Sequence, residues 1–169
     1  MKKIMFNDKY GLTQAVLEGR KTQTRRSRFK TARYNIGEEI AIAQKYSDIT
    51  NSTSSTLRQE LAQQPGWNNK MFVRADLMPH RIRITNIRVE RLQDISEEDC
   101  MAEGIRRFGK EYVRFKKEYC YTCQNYAVTD FYSFSTPREA YAALIDKISG
   151  KGTWESNPWV FVYDFELVK

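Results

Sequence analysis

The chain alternates between helical and extended hydrophobic patterns, and their order predicts an α+β fold. Leu12, Ala15 and Val16 recur at the spacing of one helix face. Gly19 follows at the position where a glycine commonly ends a helix. Short strands are predicted over residues 38–43 and 70–75, where extended hydrophobic segments follow turn-forming or polar stretches.

The longest extended segment changes phase in its middle. Residues 81–84 alternate arginine and isoleucine, whereas Ile87 and Val89 continue in the opposite phase. One extra residue exchanges the two faces of a strand, so the pattern predicts a β-bulge at Thr85–Asn86. The arginines of this segment are expected on the solvent side of an antiparallel sheet.

Two further helices have recognisable start signals. Ser96 is followed three residues later by Asp99, an approximate capping box, and Gly104 ends this helix after barely two turns. Thr136 and Glu139 form a complete capping-box pattern before a helix that Gly150 closes. The sequence therefore predicts about three helices.

The last extended segment alternates large apolar residues on both faces. Trp159 begins one apolar face, while Val160 and Val162 lie on the other. This pattern predicts a strand whose first half is buried on both sides, with Trp159 in the core.

Composition agrees with one domain over residues 1–169, because 41% apolar residues in 169 suffice for a full core. The net charge of +7 and a pI near 9.3 favour an anionic partner, nucleic acid first. No apolar run reaches the ~18 residues of a membrane span, and the N-terminal segment is too short for a signal peptide. A cytoplasmic protein, monomeric by default, with no membrane partner and with reduced thiols is therefore expected.

The run from Gly19 to Arg26 concentrates the candidate chemistry. It reads GRKTQTRR, so two hydroxyls and an amine lie in a dense positive field. Neighbouring arginines and partial burial would lower the pKa of Lys21, and a neutral lysine can act as a base for the Thr24 hydroxyl. Lys21 and Thr24 converge only if the segment turns at Gly19. The alternative is a solvated or phosphate-contacting charge run.

Three segments carry a resemblance to a known family. They are LEGRKTQTRR after the first helix, RLQDISEEDCMAEGI after the long strand, and the terminal NPWVFVYDFELV. Together they resemble the ASCH domain family (ASC-1 homology), and the similarity covers roughly 110 residues of the chain. The resemblance implies a PUA-like β-barrel fold and an association with RNA.

Small bacterial members of that family include an amidohydrolase that removes the acetyl group from N4-acetylcytidine. Its catalytic lysine, threonine and glutamate match Lys21, Thr24 and Glu103. The resemblance implies that Thr24 attacks the acetyl carbonyl, Lys21 takes its proton and Glu103 protonates the departing amine, with Arg26 or backbone N–H groups stabilising the oxyanion. The sequence departs from the enzyme at Arg25, where the enzyme has an apolar residue, and in its greater length.

Glu103 is unusual on local grounds. A carboxylate in the last turn of a helix faces the negative end of the helix dipole, an unfavourable position. A general acid with a raised pKa is one explanation, and an ordinary exposed glutamate is the other.

Two insertions, near 47–67 and 106–135, lengthen the domain. The first is polar and predicts a surface excursion. The second interleaves aromatic and basic residues, which suits stacking on unpaired bases beside phosphate contacts; a hairpin that packs its own aromatics is the alternative. Substrate or nucleic-acid contacts are expected from Arg20, Thr22, Arg25, Arg26, Asn157, Trp159, Lys116, Lys117 and Tyr119.

No metal or cofactor is expected. Cys120 and Cys123 form a single C-x-x-C, which is half a structural zinc site, and Cys100 and His80 are the only further candidates. Glycine-rich phosphate loops and a Ser-His-Asp set are absent from the sequence. Three functions remain open: amidohydrolase on acetylated cytidine, non-catalytic binding of RNA or a modified nucleoside, and ribonuclease.

Overall fold

The computed structural model describes residues 1–27, 30–50, 54–108, 120–122 and 134–168. The described part is an α+β fold with six α-helices and seven strands, so the α+β prediction is confirmed. The helices are α1 (Leu12–Leu17), α2 (Tyr46–Ile49), α3 (Ser55–Ala62), α4 (Glu97–Ala102), α5 (Pro137–Ser149) and α6 (Thr153–Ser156). The strands are β1 (Lys3–Ile4), β2 (Gln23–Arg26), β3 (Glu39–Ile42), β4 (Arg81–Arg91), β5 (Arg106–Phe108), β6 (Cys120–Thr122) and β7 (Trp159–Val168).

Five strands form a mixed sheet in the order β1-β3-β4-β7-β2, and β5 pairs with β6 in a separate hairpin. The β1–β3 pair is parallel, whereas β3–β4, β4–β7 and β7–β2 are antiparallel. In the described ranges β1 and β2 are the two edge strands of this sheet, and no ladder joins them. No described helix is long and apolar enough to cross a membrane.

The long central ladder contains the predicted bulge. The β4–β7 register shifts between Ile84 and Asn86, which confirms the phase change at Thr85–Asn86. The bulge allows Ile82 and Ile84 to be buried on one side of it, while Ile87 pairs with the buried Tyr163 on the other. It therefore lets one strand supply core residues from both phases of its pattern.

The helix start signals are also confirmed. The Ser96 hydroxyl accepts from the backbone N–H of Asp99, and Thr136 and Glu139 form both hydrogen bonds of a capping box. The helix count is higher than predicted, because α2 and α6 are single turns without a strong periodic pattern and α3 lies in the first insertion.

The first insertion has its own small core instead of being only a surface excursion. Tyr46 of α2 and Leu61 of α3 are buried together with apolar residues of β3 and of the segment that follows α3. The members of this second core are Ala41, Ala43, Tyr46, Leu61, Val73 and Met78.

Two strand predictions need correction. Residues 70–75 contain 3-10 turns, Lys70–Phe72 and the start of Ala75–Leu77, because the Asn69 side chain caps the first of them. Trp159 is 57% exposed instead of core. It pairs with Arg91 at the end of the β4–β7 ladder, beyond the elements that cover Val160 and Val162.

Candidate functional site

A turn after α1 brings the basic run into the interior. Gly19 has a φ of +72°, and the backbone N–H groups of Arg20 and Lys21 both donate to Ala15 O at 2.9 Å. The Thr22 N–H then donates to Ala102 O of α4 at 2.9 Å. Because a glycine adopts a positive φ without strain, the chain reverses here and directs Lys21 against the end of α4.

Lys21 and Glu103 form a buried ion pair. They are 2% and 5% exposed, and Lys21 Nζ donates to Glu103 Oε2. The same Nζ donates to Gln23 O at 2.7 Å and to Glu103 O at 2.9 Å, so an ammonium at this position uses all three N–H groups. Burial lowers the pKa of Lys21, although the Glu103 carboxylate opposes the shift.

This contact explains the position of Glu103 at the end of α4. Glu103 is the C-cap residue of the helix, where backbone carbonyls are left without intrahelical partners. Lys21 supplies a cation to both the Glu103 carbonyl and its carboxylate, which offsets the unfavourable end of the helix dipole. Glu103 is therefore not an exposed glutamate.

Arg25 contacts Glu103 and joins the pair to two further carboxylates. Its side chain is 1% exposed and lies 2.6 Å from Glu90, 2.8 Å from Asp99 and 3.3 Å from Glu103. Burial acts to lower the pKa of Arg25, but the charges of Glu103 and Glu90 outweigh it and hold this pKa above its ordinary value. The guanidinium thus remains charged inside the protein.

The ion pairs continue across the sheet. Arg88 lies 2.6 Å from Asp99 and 3.0 Å from Asp164, and the Gln23 amide donates to Asp164 at 2.6 Å. We call these side chains the Arg25 network: Gln23, Arg25, Arg88, Glu90, Asp99, Glu103 and Asp164.

A cavity of about 620 Å³ opens beside the Lys21–Glu103 pair. Five of the sequence-predicted residues line it: Lys21, Thr24, Arg25, Arg26 and Glu103. Further lining residues include Phe6, Asp8, Arg33, Tyr34, Lys70 and Tyr141. The structure therefore brings the three proposed catalytic side chains to one concave surface.

Thr24 lies on β2, paired with Tyr163 of β7, and is 4% exposed. Its hydroxyl makes no hydrogen bond to any other described residue, Lys21 included. The Tyr141 hydroxyl is also buried without a hydrogen bond of ordinary geometry in the described ranges. Burial raises the pKa of Tyr141 well above its usual value, and the nearby charge of Glu103 adds to this shift.

Arg26 follows Arg25 in β2 and lies on the opposite face of the strand. Its Nη2 donates to Met5 O at 2.8 Å, and its guanidinium stands 6.0 Å from the Phe6 ring centroid. Lys21 Nζ is 5.8 Å from the same ring, so Phe6 lies between two cations of the cavity.

Four other predicted contact residues, Arg20, Thr22, Asn157 and Trp159, do not line this cavity. Arg20 pairs with Glu18 at 2.6 Å, and Thr22 is exposed. Asn157, with a φ of +43°, accepts from the Gln93 backbone N–H at 2.8 Å, and Trp159 packs under Arg91 at 4.5 Å. Lys116, Lys117, Tyr119 and Cys123 fall outside the described residues.

Sequence reasoning missed the carboxylates that neutralise Arg25. The capping-box pattern accounts for Asp99 only as a helix-start residue, and the alternation of β4 predicts only a solvent-facing position for Arg88. One sequence signal could have identified Asp99 as a neighbour of Glu103: it lies one helical turn earlier on the same helix. For Glu90, on a different strand, the sequence offers no local signal.

The described residues contain no group of three or more His, Cys, Asp or Glu side chains arranged to hold a metal ion. The His80 ring instead contacts the Gln44 amide oxygen at 2.8 Å. Cys100 is fully buried on α4.

Comparison with known proteins gives no family. No family model matches the chain, and no curated protein matches it. Among solved structures it is similar to protein EF3133 from Enterococcus faecalis V583, which carries the family model DUF984. The identity is 15% and the TM-score 0.41, over 93% of this chain and 66% of that protein.

Proposed function

We propose that this chain is an ASCH-domain protein with a PUA-like barrel that acts in the cytoplasm on a modified nucleoside. Its reaction is hydrolysis of the N4-acyl amide of acetylated cytidine. The observation that supports this proposal is the shared cavity of Lys21, Thr24 and Glu103. Its volume of about 620 Å³ is within the range of small-molecule sites.

The cavity offers both surfaces that a nucleoside needs. Phe6, Tyr34 and Tyr141 present aromatic rings, and the charged residues beside them present hydrogen-bond donors and acceptors. An aromatic base can stack on such rings, while polar groups fix its edge and its sugar.

The buried ion pair can supply a base and an acid together. Proton transfer from Lys21 to Glu103 converts the pair into a neutral amine and a carboxylic acid with no change in total charge. Burial lowers the pKa of Lys21 and so favours its neutral amine. A ligand that fills the cavity and excludes water strengthens this preference.

The reaction then follows in two balanced steps. Lys21 takes the Thr24 proton as Oγ1 attacks the acetyl carbon, and Glu103 gives its proton to the cytosine amine as the C–N bond breaks. The ion pair is thereby restored beside an acetyl-threonine ester. Proton transfer from Lys21 to Glu103 then forms the neutral pair again. Lys21 takes a proton from a water molecule as it attacks the ester, and Glu103 protonates Thr24 Oγ1, which releases acetic acid and free Thr24 and restores the ion pair.

A specific observation favours the non-catalytic alternative. Lys21 already has three acceptors, and Thr24 is not hydrogen-bonded to it in the described structure. In a pure binding module the same pair would only hold α4 against β2. The two functions predict opposite orders of mutational damage.

Thr24→Ala separates them, with Thr22→Ala as a matched control from the exposed part of the same run. For the amidohydrolase, Thr24→Ala lowers turnover of N4-acetylcytidine by roughly 10³-fold or more and leaves binding nearly unchanged. Thr22→Ala should leave both unchanged. Deacetylation is followed by chromatography, and binding of cytidine by calorimetry.

Equal turnover by wild type and Thr24→Ala would remove the nucleophile assignment. Binding without turnover by the wild type would leave the binding module. Labelled RNA in the same assay reports strand cleavage, which would instead support a ribonuclease.

A further inference from the structure

The cations of the cavity differ in how they are neutralised. Lys21 pairs with Glu103, Arg25 with three carboxylates and Lys70 with Asp8 at 2.7 Å. Lys3 Nζ donates to the Met71 and Val73 carbonyls, both at 2.6 Å. These four amines and guanidiniums have the partners that buried or half-buried charges require.

Arg26 is different. Among the described residues no carboxylate lies within ion-pair distance of its guanidinium, and its Nε is sheltered from solvent without a hydrogen-bond partner. Its protein contacts are the single hydrogen bond to Met5 O and the face of Phe6. A guanidinium in this state is costly to desolvate and suited to a charged partner from outside.

The position of Arg26 fits a substrate group remote from the reacting atom. Thr24 and Arg26 are two residues apart on the same face of β2, which separates their backbones by about 7 Å. Arg33 also lines this part of the cavity and adds positive charge near Arg26.

We propose that the cavity takes a phosphorylated nucleoside, with Arg26 binding the phosphate. The inference rests on the proposed nucleoside site and narrows its substrate class from nucleoside to nucleotide. Arginine suits this task because its planar donors match phosphate oxygens in a bidentate contact. The anion supplies an ion-pair partner in direct contact with Arg26, which no described carboxylate does, although the charge of Glu103 acts on Arg26 from farther away.

Calorimetry on the whole protein tests this without requiring turnover. Cytidine, cytidine 5′-monophosphate and inorganic phosphate are titrated into wild type, Arg26→Gln and the control Arg74→Gln, whose exposed residue does not line the cavity. The phosphorylated ligand should bind wild type on the order of tenfold to a hundredfold more tightly than cytidine at low salt. Arg26→Gln should remove that difference and keep the cytidine affinity; Arg74→Gln should keep both.

Equal wild-type affinities for cytidine and its monophosphate would overturn the inference, as would an Arg26→Gln protein that still prefers the phosphate. An absence of binding by both ligands would also overturn it. Preference for the monophosphate without any hydrolysis would refute the proposed reaction alone. Hydrolysis without that preference would refute the nucleotide inference alone.

Kinetics separates this role from oxyanion stabilisation by Arg26. Phosphate binding predicts that Arg26→Gln raises KM for N4-acetylcytidine 5′-monophosphate and leaves N4-acetylcytidine unchanged. An oxyanion donor acts on the chemical step, so its loss would lower kcat for both substrates alike. That second pattern would count against the phosphate role.

Discussion

Arg25 and Arg26 are adjacent in one strand and have opposite surroundings. Arg25 is almost fully buried and lies within 3.3 Å of three carboxylates, whereas in the described structure Arg26 has no carboxylate partner. The strand alternation that separates them is the simplest property of β structure. It divides one basic run into a part that the protein neutralises and a part to which the described residues give no carboxylate partner.

The difference shows that adjacent charges in a sequence can have different structural roles. Arg25 holds together α4, β2 and β4 through Asp99, Glu103 and Glu90. Its role is to fix the geometry around Glu103. In the described structure Arg26 makes one side-chain hydrogen bond, to Met5 O, and stands over Phe6. Net charge alone would have counted both as nucleic-acid contacts.

The largest expected effect comes from removing the carboxylate that Arg25 shares with Lys21. Glu103→Ala leaves two buried cations without their common partner and should lower the free energy of unfolding by about 3–5 kcal/mol. Chemical denaturation measures the loss. Glu103→Gln, which keeps the size of the side chain, is the control for packing.

A double-mutant cycle with Lys21→Met checks the assignment to charge. The double variant Lys21→Met/Glu103→Ala should lose clearly less stability than the sum of the single variants, since it removes both members of the buried pair. Simple additivity of the two losses would contradict a coupled pair.

The second expected effect compares the two arginines directly. Arg25→Met should cost about 3 kcal/mol, because it leaves buried carboxylates with fewer cations. Arg26→Met should not lower stability, since it removes a sheltered guanidinium for which the described residues supply no carboxylate partner. Thermal and urea unfolding of the two variants measure both changes in the free energy of unfolding. Equal losses would mean that the surroundings of Arg25 and Arg26, on the two faces of β2, do not differ as described.

Much of the fold was predictable, because its signals are local. The caps at Ser96 and Thr136, the turn at Gly19 and the bulge at Thr85–Asn86 each depend on a few consecutive residues. Trp159 was misplaced, since its exposure depends on where the covering elements end. That information is not present in the alternation of β7 itself.

The candidate site was predictable only in part for the same reason. Lys21 and Thr24 are close in sequence, and Glu103 was assigned through a family resemblance. The neutralisation of Arg25 depends on Glu90, which is 65 residues away, and on the packing of α4 against the sheet. Sequence patterns identify charged residues, but tertiary structure decides which of those charges remain available to a ligand.

The smallest expected effect tests how completely water is excluded from the surroundings of Arg25, with the buried Cys100 thiol of α4 as the probe. Burial raises the pKa of Cys100 to about 12, with the charge of Arg25 opposing the shift. The folded thiol keeps its proton at a pH where the unfolded thiol, of ordinary pKa near 9, has lost it. Unfolding then releases a proton, so stability falls as pH rises from about 9 towards 12, by at most about 1.4 kcal/mol per pH unit.

Denaturation of a Cys120→Ser/Cys123→Ser variant, with and without Cys100→Ala, isolates this contribution, and the two proteins should have the same pH slope below 9. Two results would contradict this prediction: rapid labelling of the native Cys100 thiol at pH 8, or identical pH slopes of the two proteins above pH 9. Either would mean that water reaches the residues around Arg25. The surroundings of Arg25 and Arg26 would then differ less than their contacts indicate.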